Sequence, residues 1–298
     1  MKSIGIDIGT TSISLVLAGF PDGTLIQAVT LPNDTFLPSA RPWERLQDPA
    51  AILAKVYPAL EGLLSAWGDV AAIGLTGQMH GILYLDRSGL AVSPLYTWQD
   101  GRGNLPDYDG GMSVCRCLAE ACGAKLAAGY GLATHLYNLK KGLVPAEAVS
   151  LCTIADYVGM ALTGRGAPLV HISQAASLGL YDCKTNDFLW DIVKEWGASP
   201  DFLPSVTKEL LPLGAFRGIP VCVSIGDNQA SFLGSVGENR DCGLVNIGTG
   251  SQISVLSHTC FQGEGIEARP FTGDSYLLVG AALCGGSAYA ALERFFRE

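Results

Sequence analysis

The sequence predicts an α/β fold, and three observations carry that expectation. Short β-branched runs closed by Gly-rich turns alternate with segments whose apolar residues recur at helical spacing. Of the 298 residues, 48% are hydrophobic and 16% charged, which supplies a sizeable core and excludes a disordered chain. One strand–turn–strand pattern also occurs twice, once near each end of the chain.

The elements follow in order. Ser3 to Ile8 and Ile13 to Leu17 are aliphatic runs flanking Gly9-Thr10-Thr11-Ser12, a hairpin signature. Asp22-Gly23 supplies the next turn, and Thr24 to Leu31 forms a third strand. Ile52, Leu53, Val56, Leu60, Leu63 and Leu64 mark a helix over Pro49 to Trp67. Val70 to Thr76 is a buried strand running into Gly77-Gln78-Met79-His80-Gly81, and later strands fall at Val221 to Ile225 and Leu244 to Ile247. Asp7-Ile8-Gly9-Thr10-Thr11-Ser12 with Leu15-Val16-Leu17 aligns without gaps on Asn246-Ile247-Gly248-Thr249-Gly250-Ser251 with Ser254-Val255-Leu256. Two lobes that each open on the same hairpin are the economical account, although the second copy has only about fifty residues after it, too few for a full domain.

Charge and cysteine usage narrow the function classes. The net charge of −9, without any Lys/Arg run, disfavours nucleic acid and anionic membrane surfaces as partners. Phosphate ligands stay open, because backbone amides and a metal can hold them without basic side chains. The nine cysteines are an odd, scattered set with no zinc spacing, which reads as buried thiols in a reducing cytoplasm. The N-terminus reaches Asp7 too soon for a signal peptide. Ser275 to Leu292 is uncharged over a membrane-span length, but Gly280, Gly285 and Gly286 split it into a strand, a turn and a helix start.

Several residues could carry chemistry. Thr10, Thr11 and Ser12 would present hydroxyls and N–H groups together, and Gly9 removes the side chain that would block a phosphate. Asp7 in an apolar strand needs a partner, and hydrated Mg²⁺ beside a nucleotide is a natural one. An ordinary hairpin with a solvated Asp7 is the plain alternative, which the second copy at Gly248-Thr249-Gly250-Ser251 weakens. Asp227 follows a strand and precedes a small-residue helix, so it reads either as a base accepting a hydroxyl proton or as a helix cap. Gln78-Met79-His80 and Trp98-Gln99-Asp100-Gly101-Arg102 are polar and aromatic clusters suited to a sugar, each residue also having a structural reading.

These motifs resemble those of the FGGY carbohydrate kinases, and they occur in that family's order over essentially the whole chain. They are Gly5 to Ser12, Gly77 to Gly81, Trp98 to Arg102, Gly226-Asp227-Asn228 and Gly248 to Ser251. Within the family, Thr97 to Arg102, Ile154 to Val158, Gln174 to Gly179 with Tyr181, and Leu283 to Ser287 look like members that phosphorylate sedoheptulose. Gln78 to Gly81 and Gly226 to Asn228 are shared with xylulose-phosphorylating members. The resemblance implies an actin-like, ribonuclease-H-like fold: a first lobe over 1–235 and the beginning of a nucleotide-binding second lobe over 236–298. It implies ATP and Mg²⁺ as cofactors, with Asp227 as catalytic base and Asp7 near the metal. Gly9, Thr10, Thr11 and Ser12, then Gly248, Thr249 and Gly250, would grip phosphate. Gln78, Met79, His80, Trp98, Asp100, Arg102 and Asn228 would line or brace the sugar pocket. Family members continue past the position of Glu298, into the rest of the second lobe and the adenosine pocket. A non-catalytic sugar-binding protein and a sugar-independent ATPase therefore stand beside the kinase as alternatives.

Overall fold

The computed structural model describes residues 1–237, 241–247, 251–282 and 286–297. It divides into two compact units, one of Met1–Asp182 with Asp187–Asp227 and one of Cys183–Asn186 with Asn228–Glu298.

The first unit is built on a seven-stranded sheet. β1 (Lys2–Ile8) and β2 (Ser12–Gly19) form the expected hairpin, with Ile8 opposite Ile13 as the last pair before the turn. Ile4, Ile6, Ile8, Ile13, Leu15 and Leu17 are all buried, the period-two pattern of a half-covered strand pair. β3 (Leu25–Pro32) pairs antiparallel with β2. Helix α1 (Pro49–Ala66) starts where Asp48 accepts the Ala50 and Ala51 N–H groups at 2.8 and 3.3 Å, with Pro49 in its first turn. Its buried stripe of Ile52, Val56, Leu60 and Leu63 joins the same core as β1 and β2.

β4 (Val70–Gly77) returns parallel to β1, so that Ile8 lies opposite Gly77. The unit continues through α2 (Gly131–Lys141), α3 (Ile154–Thr163) and α4 (Ile172–Ser177) to β5 (Pro212–Phe216) and β6 (Ile219–Cys222). The strand expected over Val221 to Ile225 is two strands, β6 and the two-residue β7 (Ile225–Gly226), both beside β4. The break falls at Val223 and Ser224, where the Val223 N–H donates to the Leu211 carbonyl at 2.9 Å and the Ser224 hydroxyl to a carboxylate of α3 at 2.6 Å. The sheet order is β5-β6-β4-β1-β2-β3, with β7 also on β4.

Helix α5 (Asp227–Val236) begins at Asp227. The second unit holds an antiparallel sheet of β8 (Gly243–Ile247), β9 (Ser251–Ser257), β10 (Glu267–Pro270) and β11 (Tyr276–Ala282), ordered β8-β9-β11-β10, and then α6 (Gly286–Arg297). Phe232, Phe271, Leu277 and Val279 form its core, with the two phenylalanine rings edge to face at 5.6 Å. The second copy of the hairpin differs in register from the first. Ile247 pairs with Ser251, one residue tighter than Ile8 with Ile13, while its turn residues Gly248, Thr249 and Gly250 lie outside the described residues. Among the described residues no helix is long and apolar enough to cross a membrane.

Val245, Ile247, Ile253 and Val255 occupy one face of the β8–β9 ladder and are exposed, as are Tyr289, Leu292, Phe295 and Phe296 on α6. Contiguous apolar surface of this kind drives association. Light scattering of this chain should rise with concentration, and Ile253→Lys with Phe296→Lys should suppress the rise. A chain that scatters as a monomer at high concentration would contradict this.

Candidate functional site

Three parallel strands end level with one another. The ladders pair Ile8 with Gly77 and Gly77 with Gly226, so the residues that follow them leave the sheet at one edge. Those residues are Gly9 to Ser12, Gln78 to His80 and Asp227, three of the motifs singled out in the sequence. The carboxyl ends of parallel strands are where open α/β sheets bind ligands.

The turn after β1 is held from one side. Asn33 Nδ2 donates to the Gly9 carbonyl at 2.7 Å, Gln47 Nε2 to the Thr10 carbonyl at 3.0 Å, and the Asn33 N–H to the Thr11 carbonyl at 2.9 Å. In a planar trans peptide the next N–H points opposite to the carbonyl. The amides of Thr10, Thr11 and Ser12 therefore face away from Asn33 and Gln47, as an anion-binding turn requires. At Gly9 an added Cβ would lie 2.9 Å from the Ser12 carbonyl oxygen, so the turn closes only around glycine. Asn33 and Gln47 were not legible as functional residues, because nothing in a polar side chain's identity says which carbonyl it will bind.

Asp7 stands in β1 opposite Ser14 and Thr76, on the face away from the isoleucines. Burial pushes its carboxyl above the ordinary range, and no described residue gives it a hydrogen bond. A half-buried carboxylate without a donor suits a cation. Among the described residues no cluster of three metal-ligating side chains occurs, so protein atoms alone do not make a metal centre.

The loop after β4 is fixed tightly. His80 adopts φ of 71°, a left-handed conformation of the kind that clusters at functional sites. Its N–H donates to Ser177 Oγ at 3.1 Å, its Nδ1–H to the Ser177 carbonyl at 2.8 Å, and its ring stacks on Tyr130 at 4.4 Å. Met79 is buried. Gln78 is also buried and turned toward the turn after β1: its Nε2 donates to Gln47 Oε1 at 2.8 Å, while its own Oε1 is buried without a partner.

The second cluster separates into two kinds of residue. Trp98 is half exposed and its indole N–H donates to Thr10 Oγ1 at 2.9 Å, joining this loop to the turn. Asp100 and Arg102 are buried, with Arg102 Nε and Nη2 on the two Asp100 oxygens at 2.6 and 3.1 Å. Arg102 also donates to Asn138 Oδ1 at 2.7 Å and lies 4.1 Å over the Tyr96 ring, while Asp100 accepts the Arg45 N–H at 3.1 Å. This pair braces the loop and is screened from solvent. Gly129 makes the packing possible, since a Cβ there would sit 1.8 Å from the Trp98 carbonyl oxygen.

Asp227 is exposed and is the first residue of α5, and Asn228 beside it is half-buried. Behind it lies a fully buried carboxylate, Asp156, whose oxygens accept Ser224 Oγ–H at 2.6 Å and Thr153 Oγ1–H at 2.7 Å. Burial raises its pKa to about 6, held from going higher by those hydroxyls and by a main-chain hydrogen bond from Thr153.

Two predictions follow from these contrasts. Arg102→Ala strands the buried Asp100 charge and should cost about 3–5 kcal/mol in urea unfolding, whereas Trp98→Ala should cost under about 1 kcal/mol. Equal losses would contradict the division into brace and exposed wall. For Asp7, the folded pKa lies above the unfolded value of about 3.9, so its contribution to stability is full below that pH and lost as pH rises through the folded pKa. Asp7→Asn should therefore raise the thermal midpoint at pH 7 and leave it nearly unchanged at pH 3. A lowered midpoint at pH 7 would mean that the carboxylate has a stabilising partner.

The chain is similar to known proteins in sequence and in fold. Residues 3–121 match the N-terminal domain of the FGGY family of carbohydrate kinases. The chain is 29% identical to mouse (Mus musculus) sedoheptulokinase over 97% of its own length and 67% of the relative's. It is 24% identical to a xylulose kinase of Streptomyces coelicolor, over 85% of this chain and 54% of that one. Among solved structures, the xylulose kinase of Rhodospirillum rubrum superposes with a TM-score of 0.83 at 24% identity, covering 99% of this chain. This chain spans 63% of that solved chain's length. Over residues 3–121 the chain thus matches the FGGY carbohydrate-kinase N-terminal domain, and over nearly its whole length it shares the fold of a solved xylulose kinase.

Proposed function

We propose that this chain supplies the sugar pocket and the first phosphate grip of an ATP-dependent kinase that phosphorylates a ketose, with sedoheptulose the first candidate. The observation that carries the reading is the level ending of β1, β4 and β7, which brings Thr10 to Ser12, His80 and Asp227 to one edge. In this reading Trp98, His80 and Met79 wall the sugar, with Gln78, Asp100 and Arg102 bracing them and Asn228 beside the reacting hydroxyl. Asp227 accepts the hydroxyl proton as that oxygen bonds to the γ-phosphorus, while the bond from γ-phosphorus to the bridging oxygen breaks and ADP leaves. The outward amides of the turn hold phosphate oxygens. Mg²⁺, held through water by Asp7 and by the phosphates, would neutralise the charge that develops. Gly248, Thr249 and Gly250 would add a second grip from the other hairpin. Cytoplasmic location belongs to the same proposal, and this chain by itself should turn over slowly, because the residues that would complete the second lobe are not part of it.

Sedoheptulose rests on likeness to the mouse enzyme. Xylulose is the second reading, favoured by the Streptomyces relative. Calorimetry with sedoheptulose, xylulose and glycerol separates them, and Trp98→Ala or His80→Ala should weaken whichever sugar binds. Asp227→Asn should keep that binding and lower sugar-dependent ADP release by about 10²–10⁴-fold. Were Asp227 only the start of α5, asparagine would serve as well and turnover would persist. Sugar binding without any ADP release from the unmodified chain would assign it a binding role alone.

A further inference from the structure

β7 is two residues long, too short for ladder hydrogen bonds to hold it, yet it delivers Asp227. Each of the three residues ahead of Asp227 is instead held by side-chain hydrogen bonds to other elements, most of them from buried residues. Ser224 Oγ–H donates to Asp156 of α3 at 2.6 Å. The Ile225 carbonyl accepts Thr76 Oγ1–H of β4 at 2.9 Å and Gln174 Nε2–H of α4 at 3.2 Å. The Gly226 N–H donates to Ser173 Oγ at 3.0 Å, and that hydroxyl in turn donates to His171 Nδ1 at 2.8 Å. Asp156, His171, Ser173, Gln174 and Ser224 are each no more than 1% exposed. The Asp156 carboxylate, taken up by the Thr153 hydroxyl and main chain at the start of α3, still directs one oxygen to Ser224, and an apolar pair at 156 and 224 would fill that space without burying a charge. Its direction of action is local, toward one strand end.

We infer that Asp156, acting through Ser224, and Ser173 with Gln174 are positioning residues that clamp the main chain leading into Asp227. The inference rests on the reading of Asp227 as the base for its catalytic meaning, and on the hydrogen bonds alone for its structural meaning. Misplacement of a reacting group by about 1 Å costs on the order of 10²-fold in rate, so a clamp of this kind acts on turnover more than on sugar affinity.

The test uses the whole chain and four variants, Ser224→Ala, Ser173→Ala, Asp156→Asn and Asp227→Asn. Amide hydrogen exchange is followed by NMR, alongside calorimetric ketose binding and single-turnover ADP release. Losing one of these hydrogen bonds should speed exchange at Ile225 and Gly226 by about tenfold. Exchange in β1 and β2 and ketose affinity should stay unchanged, and turnover should fall. Restored protection and turnover in Ser173→Thr, which returns the hydroxyl, would add support. Unchanged exchange at Ile225 and Gly226 overturns the clamp, as does faster exchange throughout the unit. Faster local exchange with full turnover, while Asp227→Asn is inactive, overturns its positioning role. Full turnover in Asp227→Asn overturns the base reading instead, and the exchange data still decide the clamp.

Discussion

How closely β1 and β4 can run together at their carboxyl ends governs the rest of the site. At Gly77 an added Cβ would lie 2.8 Å from the Ile8 carbonyl oxygen, closer than real Cβ atoms come, and a tight 3.1 Å from Ile8 Cβ. Glycine inside a strand sacrifices about 0.5–1 kcal/mol relative to alanine. Here it lets the two strands stay in register to their last residue. Because β7 hangs on β4, any side chain at 77 would displace Asp227 together with the His80 loop. The turn after β1 would lose its neighbour in the same movement.

Much of this was legible in the sequence, and the parts that were not share a physical reason. The hairpin, α1 and β4 follow from periodicity and turn chemistry, which are local properties. The break between β6 and β7 was not visible, because Val221 to Ile225 reads as one strand and it is tertiary contacts, of Val223 with Leu211 and of Ser224 with Asp156, that interrupt it. Tyr130, Asn33, Gln47 and Ser173 went unnoticed for a related reason. Their roles are to stack on a ring or bind a main-chain atom far away in sequence, and residue type does not encode the partner. The gapless repeat was likewise visible while its one-residue shift in register was not, since register is set by turn length as much as by pattern.

Three carboxylates in the first unit show how environment divides one chemical group into different roles. Asp100 is buried against Arg102 in a two-pronged ion pair and serves to hold a loop. Asp156 is buried among hydroxyls and reaches outward through Ser224. Asp7 has no donor among the described residues, and burial alone raises its pKa. Sequence position gives no hint of this ordering, which runs from full satisfaction to none.

The hydrogen bond from the Trp98 indole to Thr10 Oγ1 ties an aromatic ring to the turn with the outward amides. Indole emission is sensitive to what its N–H donates to and to the solvent around it, and Trp98 is half exposed. An anion that draws the Thr10 hydroxyl toward itself changes the acceptor seen by that ring. Under the proposed function, the same contact makes Trp98, one of five tryptophans, the one whose emission would respond to phosphate at the turn.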